Sequence, residues 1–560
     1  MLPLQNKIKK ATATPKGKII FSIVVLIIAG AVSVAIIYWN AIKKAFIREK
    51  VSLAVRDKSN RLYSIHYDDM ELDEVAGFLF IKNLSLDYDT VQYKALQNKD
   101  IPGTLLRFTI PSIEVAGVQT PQALITKEII GRKVEIKEPV IDIIYTRRGN
   151  DSTKAMPTEE VYRQILGDLN LIKIDTFLIT GAKIITRDMK TGEQKLLLMD
   201  TYLELRNVAI DSISNKDTSR ILFSKHMLLN SAKLSWTSKN KLYRYSLDSI
   251  TLNSDNNRVS ARSFKIIPQL DEIKFAQKKV FQADRYDIVL NDISVEKLNF
   301  LSLFKEKIYA ESVSIHHSNI KIYRDMTRKP DGKSRLGTYP QQRIAQIPIP
   351  VSIGKLALMN SYVEYKEKGR IMQKIGKVIF ADLNGTFLNI SNEGADNKQN
   401  ALTANINANF LRRYRVKTTW SFYLNNKRGR FDVSGQLGSL DATGLNQLLE
   451  PLGGVKINKG RINQLSFNLK ADNYSMKGPV KFLYNDLKVS VLKKDEETKE
   501  LKKNKLVSIG ANMLIYDDNP SKNKPLRIGE ADFKRDTTRS MFHMCWKTLM
   551  DGIKSAVVKN

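Results

Sequence analysis

The chain has 560 residues, with 90 Lys and Arg against 58 Asp and Glu, a formal net charge of +32 and a single cysteine, Cys545. One thiol excludes an intramolecular disulfide and a multi-thiolate metal site. The basic residues are interleaved with acidic ones and form no dense block or nucleic-acid motif, so no nucleic-acid partner is expected. Most of the charge reads as solvated strand faces, with a second contribution from attraction to anionic headgroups or lipopolysaccharide phosphates.

In chain order, the first element is an uncharged run from Ile19 to Trp39. At about 1.5 Å per residue it covers roughly 30 Å, the hydrocarbon thickness of a bilayer. Tyr38 and Trp39 close it where amphipathic rings favour the headgroup layer, and five lysines precede it with no acid among residues 1–18. The reading is a transmembrane anchor over 19–39, residues 1–18 in the cytoplasm and the large body outside it. A cleaved signal peptide is the competing reading, with Ser33-Val34-Ala35 as a cleavage site, but Ile36 and Ile37 continue the apolar run past it.

Past Val51 the apolar residues recur at every second place, as in Val480-Lys481-Phe482-Leu483-Tyr484. That period predicts a mainly β body, an antiparallel sheet covered on one face. Turn signals such as Arg148-Gly149-Asn150-Asp151 and Asn425-Asn426-Lys427 separate the strands. Helices are expected only from the anchor to about Lys50, at 158–170, at 445–449 and in the tail. Roughly 25 to 35 strands of typical length would fit, and stacked along one axis they would extend on the order of 120–165 Å.

An internal offset of 180 residues pairs Leu62-Tyr63 with Leu242-Tyr243, and Ile113 and Val115 with Ile293 and Val295. One residue shorter, it pairs Val134, Ile136, Ile141 and Ile143 with Val313, Ile315, Ile320 and Ile322, then Phe177, Ile179 and Ile184 with Leu356, Leu358 and Val363. Two copies of a β unit are therefore expected, 51–215 and 231–395. The section 401–535 does not follow the offset.

From Phe431 to Lys494 that section reads as a strand, a short helix from Leu445 to Leu449, and three strands turning at Gly460 and Gly478. This order, with the anchor and the FLFIKNLSL stretch from Phe78 to Leu86, resembles the AsmA-like envelope proteins, most sharply over 435–492. The resemblance implies an inner-membrane anchor and an elongated, open β-groove (an incomplete barrel) in the periplasm, whose apolar concave face contacts lipids. The charged segment Lys493 to Lys505 departs from the family pattern. Candidate groove-lining residues are Leu465, Phe467, Leu469, Phe482, Tyr484, Val489 and Val491; a dry core against another layer is the competing reading of the same residues.

Catalytic chemistry is not evident, and no cofactor or metal is expected. The phosphate-loop, dinucleotide, nucleophile-elbow and zinc-protease motifs are missing. His316 and His317 would point to opposite faces of a strand and could not share a metal. His543 and Cys545 would stand about 200° apart on a helix. The tail, 537–560, carries a stripe of Trp546, Leu549, Met550, Ile553, Ala556 and Val557 and is expected to cap the open end of the sheet, with a peripheral membrane contact as the sharper reading. Taken together, the expected function is non-enzymatic: binding acyl chains in the groove to support phospholipid transport to, or homeostasis of, the outer membrane. The expected partners are membrane lipids, the inner membrane, and the outer membrane or an envelope protein at the C-terminal end. The alternative is a scaffold for outer-membrane biogenesis that moves no lipid.

Overall fold

The computed structural model describes residues 55–56, 59–73, 75–96, 102–118, 126–146, 169–214, 217, 219–370, 372–393, 401–494, 501–503 and 515–559. The anchor 19–39, nearly all of the helix expected over 158–170 and most of the charged segment 493–505 lie outside them. Among the described residues no helix is long and apolar enough to cross a membrane. The chain is mainly β, 60% strand and 13% helix, with about 22 mostly antiparallel strands in a sheet that does not close into a barrel. Among the described residues the strands are fewer than the expected 25 to 35, and several are very long: 18 residues from Leu171 to Asp188 and 20 from Ser475 to Lys494.

Two compact units divide the chain. The first comprises residues up to 238 with 245–262 and 297–306, and the second holds 239–244, 263–296 and 307–560. This division differs from the expected copies, since 245–262 and 297–306 belong with the first unit.

The first unit holds β1 (Tyr63–His66), β2 (Asp69–Asp73), β3 (Phe78–Tyr88), helix α1 (Thr90–Ala95), β4 (Thr104–Ala116), β5 (Glu128–Lys137), β6 (Val140–Tyr145), β7 (Leu171–Asp188), β8 (Gln194–Ile210) and β9 (His226–Thr237). β1 and β2 both pair with β3, and β3 with β4, all antiparallel. β5 and β6 share β4 as one neighbour and run parallel to β7 on the other side. Parallel neighbours require a crossover connection rather than a tight turn, which a purely antiparallel expectation leaves out. One cross-strand row, Ile81–Ile113–Ile136–Ile179–Leu203, is 0 to 3% exposed throughout. At about 25 cal/mol per Å² such rows supply much of this unit's stabilisation.

β10 (Tyr243–Asn253) and β11 (Arg258–Pro268) contribute to both units. The second unit then runs through α2 (Glu272–Lys278), β12 (Asp284–Glu296), β13 (Ile308–Asp325), α4 (Pro340–Ala345), β14 (Val351–Lys368), β15 (Ile375–Ser391), β16 (Leu402–Phe410) and β17 (Tyr414–Phe422); helix α3 (Phe300–Phe304) falls in the first unit. It ends with β18 (Phe431–Leu437), β19 (Leu440–Asp441), α5 (Asn446–Gly453), β20 (Val455–Ala471), β21 (Ser475–Lys494), β22 (Leu501–Lys503), β23 (Ile528–Lys534) and α6 (Met541–Val557). β12 to β18 pair in sequence, β20 lies between β18 and β21, and β23 pairs with β21. All are antiparallel except β13–β14.

Residues equated by the sequence offset hold matching places in the two units. Val134–Phe177 and Ile136–Ile179 are parallel partners, and so are Val313–Leu356 and Ile315–Leu358. Phe108–Ile141 is matched by Ile288–Ile320.

The long strands are bent in their middles. Positive-φ residues sit at Gly181, Asp200, Asp292, His317, Asn360 and Asp382. The registers slip beside them, between Ile179 and Ala182, Asn291 and Ser294, and Leu358 and Ser361. Each slip is a β-bulge, which bends the strand and strengthens its twist. Gly, Asn and Asp tolerate the left-handed conformation best, which accounts for their share of these positions. His317 sits in this line with φ 51, and its ring centroid lies 6.2 Å from that of His316. The alternation argument for those two histidines therefore fails, because a bulge interrupts the alternation where they stand.

The 326–350 connection joins β13 to its parallel neighbour β14 and reaches the turns of β18, β20 and β21. The Tyr339 hydroxyl donates to the Asp472 carbonyl at 3.0 Å, and its ring meets Phe431 edge-on at 5.4 Å under the Arg535 guanidinium. Gln341 Nε2 donates to the Gly429 carbonyl at 3.1 Å. α6 begins at an Ser540 N-cap and covers the last strands. It also satisfies the free edge of β23: Asp532 N donates to Asp551 Oδ2 at 3.1 Å and Glu530 N to Ser555 Oγ at 3.3 Å. An uncovered edge would otherwise offer these donors to another chain.

Candidate functional site

Within the second unit, strand alternation and register align apolar side chains into rows on one face of the sheet. One row runs Val295–Val313–Leu356–Phe387–Ala404–Trp420, and another Ile288–Ile320–Val363–Phe380–Phe410. Between them lie Leu358, Gly385, Ile406 and Thr418. Ala404 is buried, but the large side chains of both rows are only half-buried. The corresponding row of the first unit is fully buried. A continuous apolar face six strands wide that keeps water contact is the unusual feature, since scattered exposed apolar residues are ordinary and contiguous ones mark binding surfaces.

The face has a polar boundary. Beyond Ile288–Ile320–Val363 come Tyr286, Ile322 and Tyr365, then Asp284, Arg324 and Glu367. Arg324 Nε pairs with Asp284 Oδ1 at 2.7 Å, and the Tyr365 hydroxyl donates to Glu367 Oε2 at 2.7 Å. Burial, reinforced by the Asp284 carboxylate, pushes the Tyr286 phenol up to about 12, and burial with Glu367 also raises Tyr365. Both phenols stay neutral across the physiological range and act as hydrogen-bond donors at the edge of an apolar surface.

The residues singled out in β20 and β21 occupy the same face further along the sheet. Leu465 faces Phe482, Ile462 faces Tyr484, Ile457 faces Val489, and Val455 faces Val491. Leu465, Leu469, Phe482 and Tyr484 are buried in a cluster with Tyr339, Phe431, Met544 and Val557, beneath α6. The Tyr484 hydroxyl donates to the Tyr516 carbonyl at 3.0 Å. Phe467 and Val489 pack half-buried against the rim of that cluster, and Val491 is half-buried. Phe467 lies flat over Gly435, where any Cβ would collide with its ring. The covered and uncovered parts are thus one surface, sealed at the end where α6 and the Tyr339 connection sit.

The half-exposed rows of β12–β17 were missed as site residues, although Val313, Ile315, Ile320, Leu356 and Val363 were recognised as alternating apolar positions. Alternation reports which face a side chain joins, and it carries no signal of what covers that face. Cys545 packs against the α6 cluster, which pushes its thiol up to about 12, while burial and the nearby Arg539 and Lys547 push the His543 imidazole down. Neither shift suits a thiolate–imidazole pair. No family model matches the chain, and no curated protein matches it.

Proposed function

We propose that this chain handles lipid, holding acyl chains against the half-exposed apolar face of β12–β17 while headgroups remain in water. The observation that carries the reading is the continuity of that face: five strand spacings of about 4.8 Å make it roughly 24 Å wide, unbroken by charge. Each methylene moved from water onto it contributes about 0.8 kcal/mol, so a long acyl chain is held without any catalytic group. Many near-equivalent rows allow a chain to shift between positions.

With the anchor expected over 19–39, the body works in the periplasm from the inner membrane. The lipids are then phospholipids in transit to, or in balance with, the outer membrane, as the resemblance to AsmA-like proteins implies. Lipid extraction from the purified full chain, followed by mass spectrometry, tests this. Stoichiometric phospholipid is the expected result, and its consistent absence would favour a scaffold that moves no lipid.

A further inference from the structure

We propose that the α2 segment of the second unit is a docking tip for an anionic membrane surface. α2 turns its Phe275 and Ala276 into the protein and leaves Ile273 68% exposed; just beyond it Val280 is 73% and Phe281 46% exposed. Three large apolar side chains within nine residues are thus left open to water among the described residues.

The segment is tied to the 326–350 connection. Phe281 bridges to Lys329, Gln282 Nε2 donates to the Arg328 carbonyl at 2.9 Å, and Arg328 Nη2 donates to the Lys279 carbonyl at 3.0 Å. The acids here are already engaged: Glu272 pairs with Lys366 at 3.0 Å and Asp271 with Lys274 at 3.5 Å. Lys278 and Lys329 are exposed and face no carboxylate among the described residues. Apolar side chains that insert at the headgroup boundary, in a segment that carries the unneutralised ammonium groups of Lys278 and Lys329, match an anionic bilayer, and a chain of net charge +32 reinforces that choice. A neutral protein groove would use the apolar residues but leave the lysines without a role.

The test uses the full chain reconstituted in phosphatidylcholine nanodiscs and floated with added vesicles. Vesicles containing phosphatidylglycerol should capture it, and pure phosphatidylcholine vesicles should not. Capture should fall at least tenfold in Ile273→Asp/Phe281→Asp and in Lys278→Glu/Lys329→Glu, and also when salt is raised well above about 0.1 M. Unchanged thermal unfolding in the variants separates a docking loss from misfolding. Co-purified lipid should also be unchanged, because the tip lies outside the acyl-binding face. Equal capture by both vesicle types, or full capture of both variants, would overturn the proposal; so would a variant effect confined to self-association, which would make the occupant a second copy.

Discussion

A carboxylate placed on the open face should abolish lipid binding while leaving the fold intact. Ile406 on β16 is half-buried between Gly385 and Thr418, and the neighbouring Asn407 is exposed on the opposite face. Ile406→Asp removes a partly buried side chain, worth about 1 kcal/mol when full burial is worth 1.5–3. The new carboxylate stays hydrated in the empty protein, so the chain still folds. An acyl chain laid over it must strip that water. The cheapest escape is protonation, which at pH 7 costs about 4 kcal/mol for a group of ordinary pKa near 3.9. Affinity should therefore drop on the order of a thousandfold at pH 7, and by only about tenfold at pH 5, where protonation costs about 1.5 kcal/mol. Equilibrium binding of a phospholipid with a fluorescent acyl chain, against Asn407→Asp as control, reads this directly. Equal losses at both positions, or a loss independent of pH, would refute the reasoning.

Gly552 on α6 should resist even a methyl group. A Cβ there collides with Val480 Cγ2 and lies 3.3 Å from Ala531 Cβ, so overpacking of about 1–3 kcal/mol outweighs the helix-propensity gain of about 1. Gly552→Ala should lower the denaturant midpoint, and a higher midpoint would contradict the close helix–sheet approach. The Cys545 thiol, held up to about 12, should react with a thiol reagent at pH 8 far more slowly in the native protein than in urea, and faster in Gly552→Ala; rapid native labelling would mean α6 is not docked. In the first unit Lys195, 2.7 Å away, holds the Asp188 carboxyl down at about 2 against the ordinary 3.8. That stabilisation is complete above about pH 4 and is lost as the pH falls toward 2, so Asp188→Asn should flatten the acid limb of the stability curve in that window. An unchanged limb would show that the pair contributes nothing.

Much of the sheet was readable because period two survives wherever one face is buried. Leu465 and Phe482 were placed on one face by alternation alone, and they are cross-strand partners. Tyr484 and Val489 share that face only because Asp486, at φ 54, shifts the alternation by one residue; the Asn485-Asp486 pair is the local sign of that shift. The parallel β13–β14 pair was not readable, because a crossover and a hairpin leave the same strand pattern. Nor was the fate of the face itself. The stripe expected on the tail is displaced: Trp546 is 41% exposed, and α6 buries Met544, Thr548, Gly552 and Ala556; Tyr339 reaches Phe431 across a connection with no periodicity. Coverage separates the sealed end of one row, at Leu469, from its open end at Phe387. It is a property of packing between distant segments, which local spacing does not encode.

Acyl chains lying on one face of β12–β17 are read most directly by in-cell photo-cross-linking. A photoactivatable phenylalanine analogue is placed at Phe380 or Ile406 on the open face, and at Asn405 or Lys417 on the other face. After irradiation the intact protein is weighed by mass spectrometry. Phospholipid-sized adducts at Phe380 and Ile406, with none at Asn405 and Lys417, are the predicted result. Adducts at neither pair, or equally at both, would contradict a lipid-holding face.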